Sequence, residues 1–131
     1  MQALNELTPE MLVRFTQIDY DREMAFIAVV ERDARQVEVG VARYISNPDG
    51  TSCEFAIVVA DEWHHRGIGT RLLTALIETA KNRGFEVIEG EVLSSNAPML
   101  ELVKSLGFSV RSCPEDPSVQ LVHKELQTPR Q

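Results

Sequence analysis

The segment His64–Thr70, with the sequence HHRGIGT, joins an apolar run that is typical of a strand to a pattern that is typical of an amphipathic helix. Gly67 and Gly69 have no Cβ, so backbone N–H groups near them can approach a bound anion closely. The first turn of a helix directs unpaired amides and the positive end of its dipole toward such an anion. The segment therefore predicts a phosphate-binding loop, although two glycines that only permit a tight turn would give the same spacing.

This loop differs from the two common nucleotide-binding loops. No lysine follows the second glycine, as a Walker A loop requires, and no third glycine stands at the Rossmann spacing. The segment instead resembles the pyrophosphate-binding motif of the GNAT acetyltransferases, (Q/R)-x-x-G-x-(G/A), with His64 in place of glutamine or arginine. Downstream, Asn96 precedes a helix pattern that ends in Leu106-Gly107-Phe108, which resembles the second signature of that family.

The resemblance implies that acetyl-CoA is the co-substrate, and it indicates which residues would bind it. Those in the loop would contribute mainly backbone amides, and the others lie on the preceding strand and at the second signature. The predicted acetyl-CoA contacts are Ile57, Val58, Val59, His64, His65, Arg66, Gly67, Ile68, Gly69, Thr70, Asn96 and Met99. By the same resemblance, Val58 or Val59 would supply the backbone N–H that stabilises the oxyanion.

Composition limits the classes of protein to which the chain can belong. Its 131 residues and 44% hydrophobic content suit one domain, 1–131, with a single core. Cys53 and Cys113 lack a CxxC spacing and no secretory signal precedes them, so we expect reduced thiols in a cytoplasmic protein. No apolar run approaches the roughly 20 residues of a membrane span. The net charge of −7 argues against nucleic-acid binding and favours a cationic substrate.

Periodicity and turn residues predict an α/β (α+β) chain, and the resemblance implies the GNAT acyl-CoA N-acyltransferase fold, a mixed, mostly antiparallel sheet flanked by helices. Helices are predicted over 8–16, from 68 to the stop at Arg83-Gly84, and over 98–106. Strands are predicted over 24–31, 37–45, 52–60, 85–93, 108–111 and 118–124, with turns at 33–34, 47–50 and 114–117. Residues 126–131 are expected to fray. The family usually has a strand and a helix before the segment that corresponds to 8–16. The sequence before residue 8 is too short to supply both, so we expect this chain to lack the first strand and helix.

Acyl transfer to an amine requires a bound thioester, an unprotonated amine and a donor to the developing oxyanion. A lysine amine in water has a pKa of about 10.4, so a carboxylate base helps to remove its proton at neutral pH. Glu54 is the candidate base, because the resemblance places the catalytic glutamate of many protein-acetylating members at this point of the strand that leads to the loop. The alternative is an exposed glutamate at a strand start.

Five further residues carry less information about chemistry. Many relatives have a tyrosine in the second signature helix that protonates the leaving thiolate, and Val103 stands there in this chain. Adjacent histidines such as His64 and His65 seldom point at one ion, so we expect no metal. His123 is interpreted as a polar residue on a strand face. Trp63 is interpreted as a packing residue, with a ligand contact as the alternative.

A narrower resemblance concerns the segments Arg14–Phe26, Cys53–Ala56 and Gly90–Leu93. They are similar to the acetyltransferase part of bacterial protein lysine acetyltransferases, which is fused to an ADP-forming acyl-CoA-synthetase-like region. This similarity implies a protein lysine as acceptor, for example of acyl-CoA synthetases, and a chain that is a C-terminal fragment. A small-molecule amine N-acetyltransferase and a non-catalytic acetyl-CoA-sensing module are the alternatives. The oligomeric state stays open.

Overall fold

The computed structural model describes residues 13–19, 22–63 and 67–127, and within them the chain forms seven strands and two α-helices. In chain order the elements are β1 (Val13–Asp19), β2 (Glu23–Arg32), β3 (Arg35–Ser46), β4 (Ser52–Val59), a 3₁₀ turn (Asp61–Trp63), α1 (Ile68–Asn82), β5 (Val87–Leu93), α2 (Ala97–Ser105), β6 (Ser109–Cys113) and β7 (Asp116–Glu125). The strands form one mixed sheet in the order β1-β2-β3-β4-β5-β7-β6. Neither described α-helix is long and apolar enough to cross a membrane.

The chain divides into two compact units, of which the first comprises 1–44 and 57–76. In this unit β1 pairs antiparallel with β2, from Val13 opposite Val30 to Asp19 opposite Met24. The connection from β2 to β3 has positive φ at both of its residues, 54° at Asp33 and 61° at Ala34. A two-residue hairpin turn needs this backbone geometry, so the turn predicted at 33–34 is confirmed.

Helix α1 packs closely on β3 within the first unit. A Cβ added to Gly40 would lie 2.9 Å from Cδ1 of Leu72 and 3.3 Å from Cγ2 of Ile68, so a side chain at Gly40 would force the Leu72 side chain to shift. The buried face of α1 in this unit follows the helical period. It consists of Ile68, Leu72, Leu73 and Leu76, each at most 1% exposed. This packing fixes the helix that begins at the end of the glycine loop.

The helix predicted over 8–16 is wrong where the structure describes it. Residues 13–16 belong to β1, and 8–12 lie outside the described residues. The pairing with β2 explains the error, because long-range strand pairing overrides the local helix-start signal of Thr8 and Pro9. A strand, β1, therefore precedes β2, and the described residues before β2 include no helix. We expected this chain to lack the family's first strand and first helix.

The second unit comprises 45–56 and 77–131. Here β4 pairs parallel with β5 from Ser52 opposite Val87 to Glu54 opposite Glu89, and β7 pairs antiparallel with both β5 and β6. Side chains of β5 alternate between the two faces of the sheet. One face is buried, and the core of this unit on that side includes Cys53, Phe55, Ile88, Val92 and Val122 of the sheet together with Val103 of α2 and Phe108.

Turns and helix ends in the second unit follow the sequence closely. The Asp49 carboxylate accepts N–H bonds from Thr51 (2.9 Å) and Ser52 (3.0 Å), and these bonds lower its pKa. Gly84 and Gly107 follow the two helices with φ of +91° and +92°, as glycines that end helices commonly do. The predicted strands 24–31, 37–45, 52–60, 85–93, 108–111 and 118–124, and both later helices, are confirmed with small shifts at their ends.

The fraying predicted for 126–131 is wrong at its first two residues. Leu126 is 5% exposed, and its N–H donates to the carbonyl oxygen of Glu86 at 2.8 Å. The amide Nε2 of Gln127 donates to the carbonyl oxygens of Lys81 (3.0 Å) and Phe85 (2.9 Å). These contacts hold the segment after β7 against the end of α1. Residues 128–131 lie outside the described residues.

Candidate active site

The predicted phosphate-binding loop is described from Gly67 onward, and His64, His65 and Arg66 lie outside the described residues. Gly67 has a φ of +82°, a conformation that L side chains rarely adopt. Among the described residues no atom lies within 4 Å of a Cβ placed on Gly67. Space therefore remains beside the loop for a phosphate group.

The start of α1 presents backbone donors. Its first helical hydrogen bond runs from the N–H of Arg71 to the carbonyl oxygen of Gly67 (3.1 Å). The N–H groups of Ile68, Gly69 and Thr70 precede this bond, and such groups are the usual donors to anions at helix N-termini. The first turn of α1, which is fully described, has no acidic side chain that would repel an anion.

The chain before the loop is fixed by Trp63. This residue is 1% exposed, and its backbone N–H donates to the carbonyl oxygen of Ala60 at 2.8 Å. The guanidinium carbon of Arg32 lies 5.6 Å from the centroid of its ring. The interpretation of Trp63 as a packing residue fits this burial. By contrast, Val58 on β4 is 69% exposed, while Ile57 and Val59 are half-buried. Val58 therefore presents an apolar side chain at the surface of the sheet.

Two predicted contacts lie at the start of α2. The Asn96 Oδ1 atom accepts the N–H of Met99 at 3.2 Å, which makes Asn96 the N-cap of the helix. This cap satisfies one of the helix's unpaired donors and explains an asparagine at this position without a ligand. Val103, further along α2, is fully buried and contributes to the core of the second unit.

Glu54 lines a cleft of about 430 Å³ that belongs to the second unit. The cleft lies over β4, β5, β7 and β6, on the face of the sheet opposite the buried core residues. Its charged and titratable lining residues are Glu54, Glu89, Glu91, Arg111 and His123. Glu54 is thus exposed, as a strand-start glutamate would be, and it also shares a cleft with other ionisable side chains.

One row of side chains crosses the sheet at Glu54. Glu54 pairs with Glu89, Glu89 with His123, and His123 with Ser109. Residues paired across neighbouring strands point to the same face, and the strands lie about 4.8 Å apart. The row therefore places a second carboxylate next to the proposed base and an imidazole one strand further away.

A second row lies two residues along the strands. Glu91 pairs with Leu121, and Leu121 pairs with Arg111. The half-buried Leu121 separates the carboxylate from the guanidinium. The cleft consequently has a negative side on β4 and β5 and a positive side on β6.

Hydrogen bonding distinguishes the two paired glutamates. The Asn47 Nδ2 atom donates to Oε2 of Glu89 at 3.3 Å and to Oγ of Ser52 at 2.8 Å, so the turn before β4 holds Glu89. Neighbouring Cys53 lies on the buried face. Its burial, and secondly the charge of Glu89, raise the pKa of the Cys53 thiol to about 12. Cys53 is therefore protonated at neutral pH and does not serve as a nucleophile.

Sequence reasoning named Glu54 as the candidate base, but it did not predict that Glu89, Glu91, Arg111 and His123 would line the same cleft, and it interpreted His123 as a polar residue on a strand face. The alternation of Glu89 and Glu91 around Gly90 on β5 is a signal for one polar strand face. Their assembly with His123 depends on β7 inserting between β5 and β6. No local pattern predicts that strand order.

Comparison with known proteins agrees with this arrangement. The chain is 33% identical over 121 residues to acetyltransferase PA5475 of Pseudomonas aeruginosa, which covers 92% of this chain and 64% of the relative. It is 30% identical over 111 residues to the L-methionine sulfoximine/L-methionine sulfone acetyltransferase of the same species, covering 81% and 64%. Acetyltransferase Pat of Mycolicibacterium smegmatis is 29% identical over 107 residues, covering 81% and 32%. The chain thus spans less than two thirds of the length of these curated relatives.

A solved structure and a family profile extend the comparison. The crystal structure of the GNAT domain of S. lividans PAT superposes with a TM-score of 0.68 at 20% identity, over 82% of this chain and 64% of that one. At this identity the likeness concerns the fold. The profile of the Acetyltransferase (GNAT) family matches residues 3–108, which is most of the chain. With a sheet of this order, a glycine loop at the start of α1 and this match, the chain belongs to the GNAT acetyltransferase family.

Proposed function

We propose that this chain is an acetyl-CoA-dependent N-acetyltransferase that transfers an acetyl group to an amine, with Glu54 as general base. The observation that carries the proposal is the position of Glu54 in an open, mainly acidic cleft. Such a cleft attracts a protonated amine and offers a carboxylate to accept its proton. Family membership supports the reaction class.

The residues of the loop fit acetyl-CoA as co-substrate. Gly67 leaves open space on one side, and the amides of Ile68, Gly69 and Thr70 precede the helical ladder, so together they suit a pyrophosphate. Exposed Val58 suits the apolar arm of the same molecule. His64, His65 and Arg66 would add positive charge, and Asn96 and Met99 would contact it from the second signature.

Bound acetyl-CoA supplies an activated acetyl thioester, and the chain supplies the base and the positioning. Glu54 takes the proton from the acceptor amine, directly or through water. The amine nitrogen then forms a bond to the thioester carbonyl carbon, the carbon–sulfur bond breaks, and CoA leaves as the thiolate. The N–H of Val58 or Val59 would stabilise the oxyanion. Because Val103 is buried and has no acidic proton, the thiolate leaves unassisted or takes a proton from water.

A protein lysine is the acceptor that we favour, and the cytoplasm is the location that we propose. The lysine acceptor is supported by similarity to bacterial protein lysine acetyltransferases in the segments Arg14–Phe26, Cys53–Ala56 and Gly90–Leu93. The similarity to Pat is compatible with the same acceptor. Acyl-CoA synthetases would be typical targets. One observation favours a second candidate, a small-molecule amine, because a relative at 30% identity is named for acetylating methionine derivatives.

The test is a transfer assay with acetyl-CoA and a panel of acceptors, read by mass spectrometry. The panel contains acyl-CoA synthetases, lysine peptides, polyamines, aminoglycosides and L-methionine sulfoximine. Acetylated lysine in a synthetase or a peptide would support the proposal, and transfer only to small amines would favour the second candidate. Tight binding of acetyl-CoA by calorimetry without transfer to any acceptor would contradict catalysis and favour a sensing module.

A further inference from the structure

The cleft that contains Glu54 has charges of opposite sign at its two sides. Glu54, Glu89 and Glu91 lie on β4 and β5, while Arg111 lies on β6. The exposed side chain of Arg111 makes no hydrogen bond or ion pair with the part of the chain that the structure describes. Its guanidinium is therefore available to an anionic group of a ligand, and it can bind a carboxylate with two parallel hydrogen bonds.

The distance across the cleft restricts which ligands could use both sides. The strand order β4-β5-β7-β6 places Arg111 three strands away from Glu54. Along the strands, the row that contains Arg111 lies two residues from the row that contains Glu54. With strands about 4.8 Å apart and a rise of about 3.3 Å per residue, the Cα atoms of Glu54 and Arg111 are separated by roughly 16 Å. The Glu54 and Arg111 side chains can close part of this span, and a peptide whose amine and acid lie on separate residues can cover the rest.

Strand β7 forms the floor between the two sides, and it contributes apolar Leu121 and polar His123. Leu121 is half-buried between Glu91 and Arg111 in the second row. A segment that crosses the cleft therefore passes over an aliphatic side chain, which suits the backbone and stems of a peptide better than a compact polar molecule.

We infer that Arg111 is a specificity residue that binds an acidic side chain of the acceptor, so that preferred acceptors are lysines with an aspartate or glutamate two to four residues away. The inference rests on the proposed function, since it assumes a peptide lysine at Glu54. At about 3.3 Å per residue, a Cα span of roughly 16 Å corresponds to about five residues of extended peptide, and the reach of the Glu54, Arg111 and acceptor side chains toward each other shortens the expected spacing to two to four. Arg111 is placed here as a binding residue, and it takes no part in the proton transfer.

The experiment uses the full chain, acetyl-CoA and paired lysine peptides that differ only by Glu or Gln at one position, two to four residues before or after the lysine. For the best position, the Glu peptide should have a KM about two- to fivefold lower than its Gln partner, with similar kcat, the usual range for an exposed ion pair. The preference should shrink as salt is raised. Arg111→Gln should abolish the preference, and Arg111→Glu should reverse it.

Arg35→Gln is the matched control, because Arg35 is an exposed arginine at the start of β3 and lines no part of the cleft. It should retain the wild-type preference. Equal KM values for Glu and Gln peptides at every position would overturn the inference while leaving the proposed function intact, and so would a preference that survives Arg111→Gln. If small amines are acetylated and no peptide is, the lysine acceptor fails and the inference fails with it.

Discussion

Glu54 and Glu89 stand opposite each other in the parallel ladder of β4 and β5, so two carboxylates lie on adjacent strands in one cleft. Asn47 donates a hydrogen bond to Glu89. The Glu54 carboxylate has no hydrogen bond or ion pair with the described residues. Of the two, Glu54 is thus the carboxylate that is available to a substrate, while Glu89 is held by the turn before β4.

The first prediction concerns Glu54→Gln, which keeps the shape of the side chain and removes the base. We expect turnover at pH 7 to fall by about 10²–10⁴-fold, the usual contribution of a positioned base. Part of the loss should be recovered at high pH, where the free amine is abundant. Affinity for acetyl-CoA, measured by calorimetry, should change little.

Glu78→Gln provides the matched control for that experiment. Glu78 is exposed on α1 and does not line the cleft, so this variant should keep wild-type turnover. A Glu54→Gln enzyme as fast as Glu78→Gln at pH 7 would show that another group, or bulk water, removes the proton.

The second prediction concerns Gly67→Val, which should abolish acetyl-CoA binding because its side chain would occupy the open space beside the loop. The positive φ of Gly67 also makes any L residue costly there, by about 1–2 kcal/mol. Gly84→Val controls for this cost, since Gly84 has a φ of +91° and likewise no described atom within 4 Å of an added Cβ. Both variants should lose stability in urea denaturation, and only Gly67→Val should lose binding in calorimetry. Unchanged affinity in folded Gly67→Val would remove the loop from the site.

Local sequence signals predicted the helix ends correctly. They failed for elements whose conformation depends on pairing with a strand that is distant in the sequence. Asn96, Gly84 and Gly107 mark helix ends through their own backbone geometry, and the structure uses all three in that way. The first strand was mistaken for a helix because its partner β2 determines its conformation. Glu54 was found through its place in a motif. The position of His123 in the same row, beyond Glu89, requires the β5-β7 register, to which no short sequence pattern corresponds.

The third prediction separates two roles of Asn96. Because Asn96 is the N-cap of α2, Asn96→Ala should lower the free energy of unfolding by about 1 kcal/mol. As an acetyl-CoA contact, the same loss should also weaken binding by about 1 kcal/mol, one hydrogen bond. Asn96→Asp keeps the capping oxygen and serves as the comparison. If Asn96→Ala loses stability and its affinity equals that of the wild type, the residue only caps the helix.

The last prediction follows from Cys53, whose thiol pKa is raised from 9.0 to about 12 by burial and, secondly, by the charge of Glu89. The folded state retains this proton at pH values where the unfolded chain loses it. The resulting contribution to stability is fully present below about pH 9 and is lost as the pH rises from 9.0 toward 12. The free energy of unfolding, from urea denaturation at pH 8 to 11, should therefore fall more steeply in the wild type than in Cys53→Ala.

Cysteine alkylation gives an independent measure of the same state, because only the thiolate reacts. At pH 8, iodoacetamide should label the half-buried Cys113 and leave Cys53 unmodified until the protein is unfolded. Parallel pH profiles for the wild type and Cys53→Ala, or labelling of Cys53 in the folded protein at pH 8, would show that this thiol is not held protonated in the core. Since Glu89 contributes to the shift, Glu89→Gln should lower the pH at which folded Cys53 begins to react, and that result would connect the buried face of the sheet to the charge in the cleft.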